Sequence, residues 1–356
     1  MKKIIKVISL LLALCLIIGL AACAGKEPEG DPEEREIKTK VAAVRDETGF
    51  GAFKIMTDRS YAYDMKYYDT ADEAAKLIKD GSVDIAVLPL DTAAKVYNET
   101  GGKIQMLCTA AAGGIQILAM KEEEKTTAAP AKDGEKGDVK DEDTTASPID
   151  FEIINVESIE DFRGRTVWMN GTDSLVKCLI ETLIKKSGVG KDIELKTADS
   201  DDEIIKKATT DRRDIYILPV LSAMKIIGED NNPKQAFSLT REWNKLFDTP
   251  PVTACVVAGK DYIEANPDII SEFLTFIEVS LNYTATSETL GQPLVDAGLF
   301  DDIIKAANTV SGCNYHYLEG AEAKKAAQAT LEILCKTYPD LVGGKTPGDD
   351  FYYIAT

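Results

Sequence analysis

The sequence predicts an α/β fold of two similar lobes, in which each lobe is a mostly parallel sheet flanked by helices and two crossing segments form a hinge. The first observation is an internal repeat: residues 69–95 and 199–225 align without a gap and are identical at ten positions. The second is the alternation of short apolar strands with amphipathic helices along most of the chain. A repeat that occurs only twice indicates paired lobes rather than a solenoid, and a cleft between lobes commonly binds a small ligand.

The first lobe follows a βαβα order. Apolar segments predict its strands, and amphipathic segments with acidic starts predict its helices. The predicted strands are residues 40–44, 64–68, 84–88 and 104–109, and the predicted helices are residues 71–79 and 92–98, with a further helix opening at Gly49-Phe50-Gly51. Residues 121–150 break this order, because they contain almost no bulky aliphatic side chain and cannot offset the entropy of ordering. We predict that they form a disordered acidic insertion.

The second lobe contains one βαβαβ set, and the C-terminal third adds one strand and three helices. The predicted strands are residues 166–169, 193–197, 214–218 and 252–259, and the predicted helices are residues 175–186, 201–208, 267–282, 299–307 and 321–337. Because the middle of the chain holds only one set, we expect the C-terminal third to return to the first lobe. The predicted boundaries are lobe 1 at 37–120 and 250–356 and lobe 2 at 151–249, with crossings near 114–119 and 249–253.

The N-terminus predicts export and lipidation. Three lysines precede an apolar run over residues 8–20, and Leu20-Ala21-Ala22-Cys23 follows. Small residues before a cleavage point are typical of a secretory signal, and a cysteine directly after them is typical of a bacterial lipoprotein. We predict a signal peptide at residues 1–22, a lipidated Cys23 and a flexible tether at residues 23–36. The alternative is an uncleaved membrane anchor, since the apolar run approaches spanning length.

The net charge of the chain and the cysteines that follow Cys23 limit the kinds of partner and site that we expect. The formal net charge is −19, which weighs against nucleic acid or an anionic lipid surface as a partner, because both need clustered Lys and Arg. We interpret the five remaining cysteines as buried thiols, with a disulfide or a metal site as the alternative; they are Cys108, Cys178, Cys255, Cys313 and Cys335. His316 is the only histidine, and no catalytic sequence motif appears. Neither a cofactor nor a metal is expected.

Several short strings in this order resemble one protein family. They are Gly49-Phe50-Gly51-Ala52-Phe53-Lys54, Asp84-Ile85-Ala86-Val87-Leu88-Pro89, Asp161-Phe162-Arg163-Gly164-Arg165-Thr166-Val167, Asn266-Pro267, and the ending Gly343-Gly344-Lys345 with Asp349-Asp350-Phe351-Tyr352-Tyr353. Behind a lipidated cysteine they resemble the solute-binding lipoproteins of ABC importers, in the nitrate/sulfonate/taurine and thiamine-precursor branch, and especially uncharacterised Gram-positive members. The resemblance covers about residues 40–120 and 150–356.

The resemblance implies a type II periplasmic-binding-protein fold. Such a protein would sit as a lipid-anchored monomer on the extracytoplasmic face of the cell membrane, close on a small solute and deliver it to an ABC permease and its ATPase. It implies ligand contacts in loops that follow strands, at Thr48, Gly49, Phe50, Gly51, Leu90, Asp91, Thr92, Gly114, Asn170, Gly171, Thr172, Asp173, Val220 and Ser222.

The loops also make physical sense as ligand contacts, because ligands bind beyond the carboxyl ends of strands in open α/β sheets. Glycines allow close backbone approach, and the first N–H groups of a helix lack internal partners. Capping is the alternative role for Thr172 or Asp173, and a helix-start charge is the alternative for Asp91. Pro89 and Pro219 are expected to act structurally.

Two classes of solute remain open. The loops carry Asp46, Glu47, Asp91 and Asp173 against Arg45 alone, so a sulfonate- or nitrate-like anion would rely on backbone donors. A pyrimidine- or amine-like solute is the second option; Phe50, Trp168 and Tyr216 offer flat faces for it, with core packing as their alternative role. An enzyme of cofactor-precursor metabolism on the same fold and a ligand-sensing surface lipoprotein are the alternative functions.

Overall fold

The computed structural model describes residues 39–58, 63–119, 156–172, 174–210, 214–227, 234–287 and 289–355. The predicted signal peptide, the lipidated Cys23, the tether and the acidic insertion all lie outside these residues. Within the described ranges, no helix combines the length and the apolar character that a membrane span requires.

Ten strands and twelve α-helices make up the described chain. The strands are β1 (Thr39–Val44), β2 (Tyr63–Tyr68), β3 (Ile85–Pro89), β4 (Ile104–Ala111), β5 (Ile115–Ala119), β6 (Thr166–Asn170), β7 (Glu194–Ala198), β8 (Ile215–Pro219), β9 (Lys234–Ser238) and β10 (Ala254–Gly259). The helices are α1 (Phe53–Thr57), α2 (Ala71–Asp80), α3 (Leu90–Thr100), α4 (Ser174–Ser187), α5 (Asp201–Thr210), α6 (Val220–Ala223), α7 (Leu239–Trp243), α8 (Lys260–Ala265), α9 (Pro267–Thr286), α10 (Gly291–Asp296), α11 (Ile303–Gly312) and α12 (Gly320–Thr337).

Two five-stranded sheets have the same topology. Their orders are β2-β1-β3-β10-β4 and β7-β6-β8-β5-β9. The first three strands of each order are parallel. In each sheet the fourth strand is antiparallel to both of its neighbours, and it is the strand that the chain contributes after crossing from the other sheet. The predicted architecture of two mostly parallel lobes joined by two crossings is therefore confirmed.

The first crossing is shorter than the sequence predicts. Residues 115–119 are predicted to belong to the hinge and to the end of lobe 1, but they form β5, which pairs with β8 and β9 of the second sheet. The crossing itself is residues 112–114, where Gly113 has φ 135° and Gly114 has φ 74°. Both values lie in the left-handed region that glycine tolerates best, so the chain turns within three residues and enters the second sheet at once.

The sequence repeat corresponds to equivalent positions in the two sheets. Thr70 accepts a hydrogen bond from the Glu73 N–H at 3.2 Å and caps α2. Ser200, 130 positions later in the repeat, accepts one from the Glu203 N–H at 3.3 Å at the start of α5. Each copy then runs through the third strand of its sheet to a proline at the start of a helix. The repeated residues therefore encode the same cap and the same strand-to-helix turn.

The repeated aspartates anchor β3 to β1 in the first lobe and β8 to β6 in the second. Asp84 accepts a hydrogen bond from the Lys40 N–H at 2.8 Å. Asp214 accepts one from Trp168 Nε1 at 2.7 Å. The donor thus differs, a backbone group in one lobe and an indole in the other, but in each case it belongs to the second strand of the sheet order.

The C-terminal third completes the first lobe and contacts the second. Helix α9 packs on α1 and on the short 3₁₀ turn Phe50–Ala52. Helix α12 packs on α3 and β4 of the first lobe and on α4 of the second. Directly after α12, the Tyr338 hydroxyl donates a hydrogen bond to Glu181 Oε2 of α4 at 2.8 Å. The two lobes therefore touch along α12 as well as at the crossings.

Removing a cap tests the repeat directly. Thr70→Ala should lower the free energy of unfolding by about 1 kcal/mol, because the Glu73 N–H loses its acceptor. Ser200→Ala should have a similar effect in the second lobe. Urea unfolding followed by circular dichroism measures both changes. Thr209→Ala is the matched control, since its exposed hydroxyl donates only to Lys206 O at 2.9 Å, and we expect a change within about 0.5 kcal/mol. Equal effects at Thr70 and Thr209 would contradict the capping role.

Candidate functional site

One cavity of about 190 Å³ lies where the C-terminal ends of the parallel strands of both sheets meet. Its walls come from the residues after β1, β3 and β8, from the first turn of α4, from both crossings and from the segment after α11. The lining residues are Asp46, Glu47, Thr48, Pro89, Asp91, Thr92, Ala111, Gly113, Gly114, Ile115, Leu175, Val176, Pro219, Thr253, Ala254 and Cys313. This is the position at which open α/β sheets bind ligands.

Thr253 holds the two crossings together at the cavity. Its hydroxyl accepts a hydrogen bond from the Gly113 N–H at 3.1 Å and lies 3.1 Å from Gly113 O, to which it can donate. Its N–H donates to Ala111 O at 2.9 Å, and its carbonyl accepts from the Leu90 N–H at 3.0 Å. One side chain and its backbone therefore fix the first crossing, the second crossing and the start of α3 relative to one another.

Asn314 and Thr240 support the first crossing from its other side. The Ala112 carbonyl accepts hydrogen bonds from Thr240 Oγ1 at 2.7 Å and from Asn314 Nδ2. The Ala112 N–H donates to Asn314 O at 3.1 Å. Asn314 has φ 54°, the only positive value among the described residues other than glycine, and asparagine tolerates this region better than most residues. The crossing is thus bonded on both sides.

The wall formed by the first lobe is acidic. Asp46, Glu47 and Asp91 all line the cavity, whereas none of its described lining residues is Lys, Arg or His. Asp46 Oδ1 accepts from the Thr48 N–H at 2.8 Å, and Asp91 Oδ1 accepts from the Thr92 N–H at 2.8 Å. Burial raises the pKa of both aspartates above its ordinary value, although these N–H donors act in the opposite direction.

The wall formed by the second lobe is apolar. Ile115, Leu175, Val176 and Pro219 supply its side chains, and the first three are buried. Leu175 and Val176 lie in the first turn of α4, which follows β6. The cavity therefore joins a carboxylate-rich wall to a hydrocarbon wall.

Four of the sequence-predicted site residues line the cavity: Thr48, Asp91, Thr92 and Gly114. Leu90 and Val220 are fully buried beside it. Their N–H groups donate to the crossings, from Leu90 to Thr253 O at 3.0 Å and from Val220 to Gly114 O at 2.8 Å. These two residues therefore hold the hinge and do not face the cavity.

Gly49, Phe50 and Gly51 are not among the residues that line the cavity. Phe50 is 1% exposed, and its ring centroid lies 4.9 Å from that of Phe300. The Gly51 carbonyl accepts a hydrogen bond from Ser280 Oγ at 2.7 Å. A Cβ on Gly49 would lie 2.0 Å from Val44 O. This segment therefore owes its glycines and its aromatic ring to packing against β1 and α9.

The loop after β6 also bonds within its own lobe. Asn170 Nδ2 donates to Asp201 Oδ1 at 2.8 Å, and Asn170 Oδ1 accepts from the Thr172 N–H at 2.8 Å. Ser222 Oγ donates to Asp201 Oδ2 at 2.5 Å, and the Gly171 N–H donates to Ala198 O at 2.9 Å. None of these predicted residues lines the cavity, and Asp173 lies outside the described residues. The network ties β6, α5 and α6 together.

The predicted flat faces are likewise absent from the described cavity lining. Tyr216 is fully buried. The Trp168 ring is half-buried, and Lys207 Nζ lies 4.2 Å from its centroid on the α5 side. Both side chains follow the core-packing alternative.

Cys313 is not an activated nucleophile, and His316 lies outside the described cavity lining. Cys313 lines the cavity, but its thiol donates to Thr309 O at 3.2 Å, and burial raises its pKa well above the ordinary value. His316 is half-buried outside the cavity lining, and burial lowers its pKa. No group of three or more His, Cys, Asp or Glu in the described ranges is arranged to hold a metal ion.

The sequence does not predict the apolar wall or the hydrogen bonds of Thr253. Leu175 and Val176 lie just beyond the predicted ligand contacts of this loop, which end at Asp173. Thr253 belongs to the predicted second crossing, but a threonine before a strand carries no signal of its hydrogen-bond partners.

Removing the Thr253 hydroxyl should lower the stability of the protein. Thr253→Val keeps the shape of the side chain but leaves the buried N–H and carbonyl of Gly113 without their hydroxyl partner, so we expect the free energy of unfolding to fall by about 1–3 kcal/mol. Urea unfolding measures it. Thr275→Val on the exposed face of α9 is the control, with an expected change within about 0.5 kcal/mol. An equally small change at Thr253 would show that the crossings do not depend on its hydroxyl.

Gly49 should be required for packing. Gly49→Ala is expected to destabilise the protein by about 1–3 kcal/mol, because the added methyl group overlaps Val44 O. Gly259→Ala provides the comparison, since its φ is −63° and its nearest heavy atom lies 3.9 Å away. We expect Gly259→Ala to change stability by between zero and a gain of about 1 kcal/mol in the same unfolding experiment. A neutral Gly49→Ala would contradict the packing role.

Comparisons with known proteins agree with this fold. Residues 152–287 match the family model described as NMT1/THI5 like. No curated protein shows significant similarity to the chain. An ABC transporter structure from Parabacteroides distasonis is 18% identical with a TM-score of 0.66, covering 90% of this chain and 100% of its own. The periplasmic aliphatic sulphonate binding protein SsuA from Escherichia coli is 12% identical with a TM-score of 0.56, covering 89% and 92%.

A third structure is the alkanesulfonate-binding protein SsuA from Xanthomonas axonopodis pv. citri bound to MOPS. It is 11% identical with a TM-score of 0.51, covering 84% of this chain and 93% of that chain. At these identities the structures establish the fold alone, and the family model matches the second lobe and the start of the return segment. This chain therefore has the predicted periplasmic-binding-protein fold and carries an NMT1/THI5-like region.

Proposed function

We propose that this chain is the solute-binding component of an ABC importer. In this proposal, Cys23 anchors a monomer on the extracytoplasmic face of the membrane, and the cavity holds a small organic solute for delivery to a permease. The observation that carries the proposal is the cavity at the meeting of the strand ends, lined by both lobes and by both crossings. The relatives reported above, whose descriptions name an ABC transporter and sulphonate-binding proteins, support it by analogy.

The cavity volume limits the size of the solute. An engineered protein cavity of about 150 Å³ holds benzene, so a cavity of about 190 Å³ suits a compact molecule that is little larger than a six-membered ring. Such a molecule would contact the carboxylate-rich wall and the apolar wall at once.

Contact of the solute with both walls of the cavity explains how binding would favour closure of the lobes. A ligand shifts a conformational equilibrium only through a difference in affinity between the two states. Here the second wall is within reach only when the lobes are close, so the solute favours the closed form. The positive-φ glycines of the first crossing provide backbone freedom for this motion, and the permease would recognise the closed form.

Binding without conversion fits the side chains better than catalysis. The Cys313 thiol, the single thiol among the described lining residues, has a raised pKa, because it is buried and because the charges of Glu47 and Asp46 disfavour a thiolate. A nucleophile of this kind needs a lowered pKa or a positioned base. We therefore favour a binding protein over the enzyme alternative.

Native mass spectrometry of the full chain in detergent, before and after unfolding and refolding, tests the proposal. We expect a small additional mass that is lost on unfolding. Returning the released solute should slow amide hydrogen exchange in both lobes, at residues 46–48 and 175–176 together. Slowing in one lobe only would contradict closure, and chemical change of the returned solute would favour an enzyme.

A further inference from the structure

The two walls of the cavity differ in charge, and this difference points to the chemistry of the solute. Asp46, Glu47 and Asp91 all belong to the first lobe. Leu175 and Val176 line the cavity from the second lobe, and their side chains are hydrocarbon. A solute that satisfies both walls therefore has one polar or charged end and one apolar side.

The cations nearest in sequence to Asp46 and Asp91 are Arg45 and Lys95. Arg45, next to Asp46, extends away from the cavity, and its Nε lies 3.1 Å from Asp69 Oδ1. Lys95 lies one turn after Asp91 on α3 and is exposed. Its charge lowers the pKa of Asp91, but burial raises that pKa by more. Within the described residues, no Lys or Arg lies within ion-pair distance of Asp46 or Asp91. These two carboxyls thus line the cavity without an ion-paired cation from the described part of the chain, which is costly unless a ligand supplies the charge.

The positive ends of the helix dipoles near the cavity do not outweigh the negative charge of its acidic wall. The start of α3 carries the positive end of a helix dipole, but Asp91 lies in its first turn and complements it. The first turn of α4 has no acidic residue, so its N-terminus would support an anion on the second lobe. Such an anion would still face three carboxylates across a narrow cavity, and the side chains beside it would be Leu175 and Val176.

We propose that the solute is a small primary amine, bound as its ammonium ion, with a compact apolar body. The ammonium group would donate hydrogen bonds to Asp91 and its acidic neighbours Asp46 and Glu47, and the hydrocarbon body would pack on Leu175 and Val176. This inference rests on the proposed binding function and narrows its substrate class. A quaternary ammonium ion fits less well, because it has no N–H to donate and the described lining contains no aromatic ring to stack on it.

The empty site should also carry a stability cost that the ligand removes. Because burial raises the pKa of the Asp91 carboxyl in the folded protein, its ionised form is disfavoured there at neutral pH relative to the unfolded chain. Asp91→Asn keeps the Oδ1 acceptor for the Thr92 N–H but removes the charge. We therefore expect its thermal midpoint without ligand to be unchanged or higher, whereas a purely structural Asp91 would give a lower one.

A matched set of probes tests the charge. The full chain in detergent, freed of bound solute by unfolding and refolding, is titrated calorimetrically with cyclohexylamine, cyclohexanol, cyclohexanecarboxylate and N,N,N-trimethylcyclohexylammonium. All four share one ring and differ in charge and in N–H donors. We expect cyclohexylamine to bind at least about ten-fold more tightly than each of the others, since a hydrogen-bonded charge contributes about 1.5–3 kcal/mol.

Two variants show whether the affinity for the amine comes from the carboxylates of the cavity or from the net negative charge of the protein. Asp91→Asn should weaken cyclohexylamine binding by at least about ten-fold. Asp72→Asn is the control, because Asp72 is also a first-turn helix aspartate of the first lobe but is exposed outside the cavity. We expect it to change the affinity by less than about two-fold.

Tighter binding of cyclohexanecarboxylate than of cyclohexylamine would overturn the inference, and so would equal affinities of the Asp91→Asn and Asp72→Asn variants. Failure of all four probes would also contradict it. If no probe binds but native mass spectrometry still shows a solute mass that is lost on unfolding, the proposed binding function is supported and only the amine inference is wrong. If no probe binds and no such mass is found, the proposed binding function is contradicted as well.

Discussion

The arrangement of the two lobes depends on the hydrogen bonds of one threonine. Thr253 uses its N–H, its carbonyl and its hydroxyl on Ala111, Leu90 and Gly113. These partners lie at the end of β4, at the start of α3 and in the first crossing. Thr253 therefore ties the second crossing to the first crossing and to the first lobe at the cavity.

Most of the architecture could be predicted from local patterns. The repeat predicts β3 and β8 and the proline turn after each, because both copies form the same strand, turn and helix start. The patterns could not predict the exchanged strands. Residues 115–119 are apolar enough for a buried strand, but only the pairing with β8 and β9 places them in the second sheet. β9 itself, with the sequence Lys-Gln-Ala-Phe-Ser, has too weak an alternation to be noticed.

The candidate site could be predicted in part, and the reason is physical. The sequence indicates the carboxylates Asp46 and Asp91, because charged residues directly after apolar strands lie at the edge of the sheet where ligands bind. The glycines near Phe50 suggested close approach to a ligand, yet a glycine indicates only that something comes near. Here the neighbours are Val44 O and the side chains of α9. The apolar wall gave no signal, because Leu175 and Val176 read as ordinary positions of an amphipathic helix.

The exchange of strands between the lobes has a consequence for the order of folding. β10 lies between β3 and β4, and Ala254 pairs with Ala111 across the whole length of the second lobe in sequence. Until the last third of the chain is available, β3 and β4 lack the strand that joins them, and β4 has no neighbour in the first sheet. Contacts so distant in sequence form slowly. A nascent chain of this topology therefore stays incompletely folded until its C-terminal third is synthesised.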